Sequence, residues 1–169
     1  MKTIAAILLV SCFGVGQDKM AISAAEAACG PHDVNFEVKV DASRHPTPMP
    51  ENGKALIYVV QEDSITSRFG VDGKWVGANH GRTYFFIQID PGEHHLCATA
   101  QGMGPASRHP RVALRQLIAE AGMTYYFVPH VAGESVYAID AKFDLNQVDL
   151  DQGKALIARA KFGTSRPKQ

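Results

Sequence analysis

The chain has 169 residues, of which 46% are hydrophobic and 20% are charged. That length and apolar content fit one domain with a substantial core, and they argue against collagen, disorder and a membrane protein. The 17 basic and 17 acidic residues cancel, and the lack of a block of like charge disfavours a nucleic-acid surface. The most basic stretch, Arg159–Lys168, is interpreted as a solvated tail.

The N-terminus has the pattern of a secretion signal. Lys2 precedes an apolar stretch over Ile4–Val10, and the small residues Gly14 and Gly16 follow it. One basic residue, a short apolar core and small residues before a cleavage point are typical of such a signal. We therefore predict that residues 1–16 are removed on export.

Three alternatives to cleavage after Gly16 stay open. Leu9–Cys12 fits a lipoprotein signal, in which Cys12 would be lipidated and anchor the protein to the envelope. Cleavage within residues 24–28 is the second alternative, and a buried first strand or helix is the third. In the favoured interpretation, residues 17–29 form a leader into the domain.

The cysteines favour one disulfide. Cys12, Cys29 and Cys97 are the three cysteines of the chain, and Cys12 is removed or lipidated under either export interpretation. The two that remain would lie in a compartment where thiols oxidise. We predict a Cys29–Cys97 disulfide, worth roughly 3–5 kcal/mol from the loop that it closes; the alternative is two separate buried thiols.

The first part of the domain is predicted to contain two strands joined by a proline-rich connection. Apolar and polar residues alternate over Val34–Val40, which indicates a half-buried strand. Residues 41–53 carry prolines and a glycine and are expected to be an exposed connection. Ala55–Val60 is apolar on both faces and rich in β-branched residues, as is typical of a central strand.

The clearest local signal is a β-hairpin around Asp72-Gly73. An Asp-Gly pair between two apolar runs favours a two-residue turn, because both of its residues accept a positive φ. The gap left by Gly70 is expected to accommodate the indole of Trp75. The expected pairs are Val71 with Lys74, Phe69 with Val76 and Gly70 with Trp75.

Further strands follow the hairpin. Residues 83–89 and 94–100 are predicted strands on either side of a turn at Pro91-Gly92, and residues 101–111 are a predicted loop. The pattern of residues 112–121 fits a strand or a helix, and the surrounding strands favour a strand. Residues 124–128 and 135–139 are predicted to pair.

A single all-β domain accounts for these elements. A short C-terminal helix is predicted through Leu156, Ile157 and Ala160, capped by Asp149 or Asp151, with Gly163 past its end. About eight short antiparallel strands at close spacing indicate a β-sandwich. The predicted domain spans residues 30–163, and residues 164–169 are a C-terminal tail.

The hairpin and the turn that follows it resemble a known kind of exported domain. Val71–Gly77, Tyr84 and Asp90–Leu96 are similar to bacterial PEGA-like domains and, more closely, to domain-of-unknown-function family 2846. Members of that family often carry an arginine where this chain has Gln61–Asp63. The likeness extends more loosely from Lys54 to the final helix.

The resemblance implies a fold rather than a chemistry. Its turn-forming residues are Asp72, Gly73, Pro91 and Gly92. Such domains are typically secreted or lipid-anchored, which agrees with the N-terminal pattern. No catalytic residue is carried over from the family.

Seven histidines raise the question of a metal site. His94 and His95 are adjacent on a predicted strand, so their side chains point to opposite faces and cannot chelate one ion together. No spacing matches a known ligand pattern, so we predict no metal and no cofactor. The weak candidate ligands are His80, His94, His95, His109 and His130.

Catalytic motifs are missing from the sequence. It contains no Gly-x-Ser-x-Gly turn, no His-Glu-x-x-His helix and no glycine-rich phosphate loop, and no catalytic residue is predicted. Consecutive rings at Tyr84–Phe86 and Tyr125–Phe127 place aromatic groups on both faces of a sheet. Either a ligand or partner covers the second face, or the terminal helix and the loops do.

We therefore expect a non-catalytic module that is exported to the periplasm or beyond. It would bind an envelope protein, a glycan or cell-wall material through a sheet edge or the loop at residues 101–111, and it would not bind nucleic acid. The alternative is a carrier of a small molecule or metal, with a pocket between the sheet and the helix.

Overall fold

The computed structural model describes residues 29–31, 33–101, 112–132 and 142–168. Outside this part of the chain lie the predicted signal, residues 17–28 of the leader, His109, residues 102–111 and the predicted strand at residues 135–139. The described elements are β1 (Phe36–Asp41), β2 (Ala55–Val60), β3 (Thr66–Val71), β4 (Lys74–His80), β5 (Thr83–Ile89), β6 (Gly92–Ala100), β7 (Val112–Ala119), β8 (Thr124–Ala132), β9 (Lys142–Val148), α1 (Leu150–Arg159) and β10 (Lys161–Pro167).

The strands form two sheets, which confirms the mostly β, sandwich-like architecture. Sheet A has six strands in the order β1-β10-β5-β2-β8-β9, and sheet B has four in the order β4-β3-β6-β7. The described residues thus form ten strands rather than about eight. Sheet A is mixed, since β10 runs parallel to β5 and β2 runs parallel to β8; the expectation of purely antiparallel strands is wrong.

The main core lies between the two sheets. Ile57, Phe85 and Phe127 of sheet A meet Phe69 and Leu96 of sheet B in one buried cluster. The ring of Phe69 packs at 6.3 Å from the rings of both Phe85 and Phe127. Strand β2 is buried along its whole length, which confirms the prediction of a central strand.

A second cluster covers the outer face of sheet A. Helix α1 places Leu156 and Ile157 against Tyr58 and Tyr126 of the sheet. The helix begins after Asp149, whose side chain accepts a hydrogen bond from the N–H of Gln152 at 2.8 Å. The predicted helix is confirmed, with Asp149 rather than Asp151 as its cap.

The proline-rich connection is tethered to this same face. The hydroxyl of Tyr58 donates to the carbonyl of Pro48, and that of Tyr84 donates to the carbonyl of Pro46, both at 2.9 Å. A phenol that packs its ring in a core needs an acceptor at its tip. The connection after β1 is therefore a strap across sheet A; most of its residues are exposed, as predicted, and its tethering to the sheet was not foreseen.

The C-terminal residues differ most from the prediction. Strand β10 lies between β1 and β5, with Val40 opposite Gly163 and Phe162 opposite Tyr84. Residues 164–167, which were expected to be part of a free tail, thus complete the pairing of β1. The predicted strand at residues 112–121 is confirmed as β7.

The predicted hairpin is confirmed, with one change of register. Asp72 and Gly73 have φ values of 51° and 76°, as a two-residue turn of this kind requires. Val71 pairs with Lys74 and Gly70 with Trp75, but a bulge at Phe69/Gly70 moves Phe69 opposite Gly77. The expected pair of Phe69 with Val76 is therefore wrong.

The space beside Gly70 is filled by the N-terminal segment. A Cβ atom at Gly70 would lie 2.7 Å from the carbonyl oxygen of Cys29. The small residue at this position thus admits the backbone of Cys29, whereas the sequence suggested that it admits the indole of Trp75.

Candidate functional site

The N-terminal segment is fastened to the outer face of sheet B. Cys29 and Cys97 form the predicted disulfide, with their Cα atoms 5.2 Å apart. The indole N–H of Trp75 donates to the carbonyl of Pro31 at 2.6 Å. The guanidinium of Arg68 donates to the carbonyl of Val34 and lies 4.4 Å from the centre of the Trp75 ring. We call these contacts the N-terminal clamp.

The turn residues and one of the histidines form a second fastening. In His94, Nδ1 lies 2.7 Å from Oδ2 of Asp72, and Nε2 lies 2.8 Å from the carbonyl oxygen of Asp90. The other carboxylate oxygen of Asp72 accepts from the N–H of His95 at 2.8 Å. Because both ring nitrogens of His94 face acceptors, a doubly protonated ring satisfies both. We call this arrangement the His94 latch.

Electrostatics in the latch follow from its geometry. Burial is the largest single influence on His94 and lowers its pKa, but the contacts with Asp72 and Asp90 together raise that pKa above its usual value. Burial likewise opposes the other effects at Asp72, where hydrogen bonds from His95 and His94 lower the pKa of the carboxyl group. The histidine is thus explained by a structural role between two turns.

The other described candidate histidines each contact a different residue. Nδ1 of His80 is 2.8 Å from the hydroxyl of Thr66. Nδ1 of His130 is 3.6 Å from Oδ2 of Asp63, and Nε2 of His95 is 3.8 Å from Oε1 of Glu93. Within the described ranges, no three His, Cys, Asp or Glu side chains come together as metal ligands would.

A cluster of buried polar residues was missed by the sequence analysis. Asn79 is fully buried; its amide donates to the carbonyl of Val59 at 2.9 Å and accepts from the hydroxyl of Thr83 at 3.2 Å. Ser67 lies opposite Asn79, and Gln61 donates its N–H to the carbonyl of Thr83. We call Gln61, Ser67, Asn79 and Thr83 the polar end of the core.

Part of this cluster has no protein partner. Gln61 is 1% exposed, and neither polar atom of its side-chain amide has a hydrogen-bond partner in the described structure. The buried hydroxyl of Ser67 likewise has no hydrogen-bond partner in the described structure. A small cavity lies nearby, lined by Gln61 together with Leu156 and Arg159. Its volume of about 20 Å³ is enough for a single water molecule.

The aromatic face predicted by the sequence is covered within the protein. Tyr58 stacks on Tyr126 with ring centres 5.4 Å apart, and Phe162 packs against Phe86 at 5.8 Å. Burial, together with the neighbouring Tyr126 and Tyr84, raises the pKa of Tyr58 to about 12. Helix α1 and the strap cover these rings, so of the two alternatives the internal covering is observed.

Among the described strands, β7 forms an exposed edge of sheet B. Leu114 and Ile118 stand on its outer face with 55% and 70% of their surface exposed. Gln116 lies between them, and its side chain donates to Glu93 at 2.6 Å. Such a pair of aliphatic residues on an edge strand is uncommon, because exposed edges tend to carry charges or prolines that prevent pairing.

The free backbone groups of β7 can be assigned from the register. The N–H of Asp72 donates to the carbonyl of His95, so His95 directs its backbone groups towards β3. Gln116 lies opposite His95, and in such a pair the two residues direct their groups away from each other. Leu114, Gln116 and Ile118 therefore direct their N–H and C=O groups to the free edge. Consistently, the carbonyl of Ile118 accepts from the hydroxyl of Tyr125 at 3.4 Å.

Comparison with known proteins leaves the resemblance to family 2846 as a prediction. A scan against protein-family models matches no family. A search of curated proteins likewise finds no match. Within the described part of the chain, no helix is long and apolar enough to cross a membrane.

Proposed function

We propose that the protein is a non-catalytic, exported binding module that accepts an extended segment of a protein partner at the β7 edge. The observation that carries this proposal is the combination, on one strand, of outward-facing backbone groups with the exposed side chains of Leu114 and Ile118. Strand addition uses these two elements: backbone hydrogen bonds supply affinity, and alternate side chains supply specificity.

Two other described edges, β4 and β1, are less suited to strand addition. In β4, the N–H of Ala78 already donates to the hydroxyl of Ser165 at 2.9 Å. Strand β1 carries the exposed charged residues Glu37 and Lys39, which discourage pairing. The one charged residue of β7 is Arg115. Its side chain donates to the carbonyl of Leu145 in sheet A at 3.4 Å, so it places no charge on the outer face that would discourage pairing.

Two features support an exported location for this module. The Cys29–Cys97 disulfide is expected in an oxidising compartment, and the N-terminal pattern is that of a secretion signal. Depending on the signal, the protein would be free in the periplasm, secreted, or anchored through Cys12. In the periplasm or at the membrane, the β7 edge would be exposed to envelope proteins.

Edge variants test the proposal. Protein purified after export is immobilised, and the envelope proteins that it captures are quantified by mass spectrometry. Ile118→Lys places a charge on the edge, and Gln116→Pro removes one outward N–H without affecting the bonds to β6. Leu150→Lys is the matched control, because Leu150 is also exposed but lies on α1.

We expect the wild type and Leu150→Lys to capture the same proteins. The amount captured by each of the two edge variants should be at least ten-fold lower, which corresponds to a loss of about 1.4 kcal/mol or more in binding free energy. Equal capture by all four proteins would contradict the proposal. Binding to purified cell-wall glycan that the edge variants leave intact would contradict it as well, since a glycan cannot add a strand.

A further inference from the structure

We propose that the β7 edge accepts the β7 strand of a second copy of this chain, in an antiparallel dimer with its two-fold axis at Gln116. This inference rests on the proposed function, because it names the partner of the same edge. Its argument comes from the symmetry of the strand itself.

The exposed side chains of β7 are arranged symmetrically about Gln116. Leu114 and Ile118 lie two residues before and two residues after it, on the same outer face. A two-fold axis at Gln116 therefore places Leu114 of one copy directly opposite Ile118 of the other, and the two glutamines opposite each other. An isologous interface requires such self-complementarity, and an aliphatic cross-strand pair is one of the stabilising pairs in a sheet.

The backbone hydrogen-bonding groups of β7 fit the same two-fold axis. The residues that direct their N–H and C=O groups outwards are Leu114, Gln116 and Ile118, and the same axis pairs these residues with one another. Every one of their outward groups thus meets a donor or acceptor of the second copy. The hydroxyl of Tyr125 lies at this edge, where it accepts from the N–H of Glu120 at 3.0 Å and contacts the carbonyl of Ile118 at 3.4 Å; in the dimer it gives up this place to the second copy.

Charge does not oppose this pairing. Leu114, Gln116 and Ile118, whose side chains would face their counterparts, are uncharged, so the axis sets no like charges opposite each other. Arg115 is directed towards Leu145. The dimer would join the four strands of sheet B from each copy into one continuous sheet and remove the unpaired edge.

The mass of the protein in solution tests the dimer directly. Disulfide-intact protein is examined by analytical ultracentrifugation from about 1 to about 300 µM, a range that covers dissociation constants typical of modest interfaces. The wild type and Leu150→Lys should reach the mass of two chains with increasing concentration. Ile118→Lys and Gln116→Pro should stay at the mass of one chain, with circular dichroism showing that both remain folded.

Cross-linking tests the position of the axis. Paired residues of this type have Cα atoms about 5.5 Å apart, within the range that a disulfide spans. Gln116→Cys should therefore form a covalent dimer under mild oxidation, whereas Lys154→Cys on the exposed side of α1 should not.

The outcomes separate this inference from the proposed function. A wild type that stays at one chain throughout overturns the dimer, as does a dimer that neither edge variant weakens. In either case, loss of a different captured protein in Ile118→Lys would still support strand addition at β7. If self-association and capture are both insensitive to the edge variants, both proposals fail.

Discussion

Among single residues, His94 is the one whose contribution to stability depends most clearly on pH. Its pKa is raised above the ordinary value of about 6.5 for histidine, so the stability that it contributes is fully present below about pH 6.5 and is lost as the pH rises through the raised value. The pKa of Asp72 is lowered below 3.8, so its contribution is present above that pH and is lost as the pH falls through the lowered value. The latch is thus strongest between about pH 4 and pH 6.5.

Replacing the ring tests this pH dependence. We predict that His94→Gln removes the loss of stability that the wild type shows between about pH 6 and pH 8, at about 1.4 kcal/mol for each unit by which the pKa is raised. The free energy of unfolding in urea is measured across this range. His95→Gln is the control, because the His95 side chain is 63% exposed. If the two variants and the wild type share one pH profile, the latch has no such role.

Two leucine substitutions in the polar end of the core should have different effects on the free energy of unfolding. Asn79→Leu removes both hydrogen bonds of the buried amide, to the Val59 carbonyl and from the Thr83 hydroxyl, and it should cost about 1–3 kcal/mol, because buried polar groups lose a partner. Gln61→Leu breaks no hydrogen bond of the described side-chain amide, and the variant should be as stable as the wild type or more so. Urea unfolding compares the two; a loss above about 1 kcal/mol in Gln61→Leu would contradict this account.

Residues whose role depends on near neighbours were predictable from the sequence. Asp72-Gly73 specifies its own turn through its φ values. The disulfide joins cysteines 68 positions apart and was predictable for a different reason, because few other cysteines compete for the pairing. Asn79 could not be recognised, because its partner Val59 lies twenty residues away on another sheet. The roles of Asp72 and His94 were missed for the same reason, since the latch joins two turns that are adjacent only in the folded protein.

At the level of elements, the packing of α1 on sheet A depends on one glycine. A Cβ atom at Gly153 would lie 2.2 Å from the ring of Tyr126, so the helix approaches the sheet closely there. In an exposed helix interior, Gly→Ala stabilises by up to about 1 kcal/mol. Here we predict the opposite sign: Gly153→Ala should destabilise by about 1–3 kcal/mol through overpacking.

Unfolding in urea measures this effect, and Lys154→Ala serves as a helix control, because Lys154 is exposed on the same turn. In a Tyr126→Leu background, the cost of Gly153→Ala should shrink, because the ring that it meets is gone. A stabilising effect of Gly153→Ala in the wild-type background would show that the helix does not rest on Tyr126.

The predictability of the elements followed their apolar pattern. Strand β2 and helix α1 were recognised because the apolar residues within each element identify its buried surface. Strand β10 was not, since Phe162 is its one large buried side chain and its position depends on backbone pairing with β1 and β5. The two hydrogen bonds that tether the strap to sheet A could not be predicted, because their acceptors are backbone carbonyls of prolines and no side chain in the strap marks them.

For the whole molecule, the N-terminal clamp joins the start of the domain to sheet B, while β1 continues from it into sheet A. The disulfide closes a loop between residues separated by 68 positions; from the loop entropy, its loss should cost about 4 kcal/mol. We therefore predict that Cys29→Ala/Cys97→Ala lowers the free energy of unfolding by about that amount. Because self-association would itself add stability, the measurement is made at low, fixed protein concentration.

The fluorescence of Trp75 shows whether the clamp is closed in the same experiment, and Arg68→Met serves as the control. Its ring lies against Arg68 and its N–H donates to Pro31, so release of the segment should expose the indole and shift its fluorescence to longer wavelength before global unfolding. Arg68→Met leaves the disulfide in place and should cost less than the double cysteine variant, because it removes polar contacts without lengthening the free chain. If the cysteine variant unfolds at the wild-type urea concentration, the polar contacts alone hold the segment, and the disulfide adds nothing to the stability of the domain.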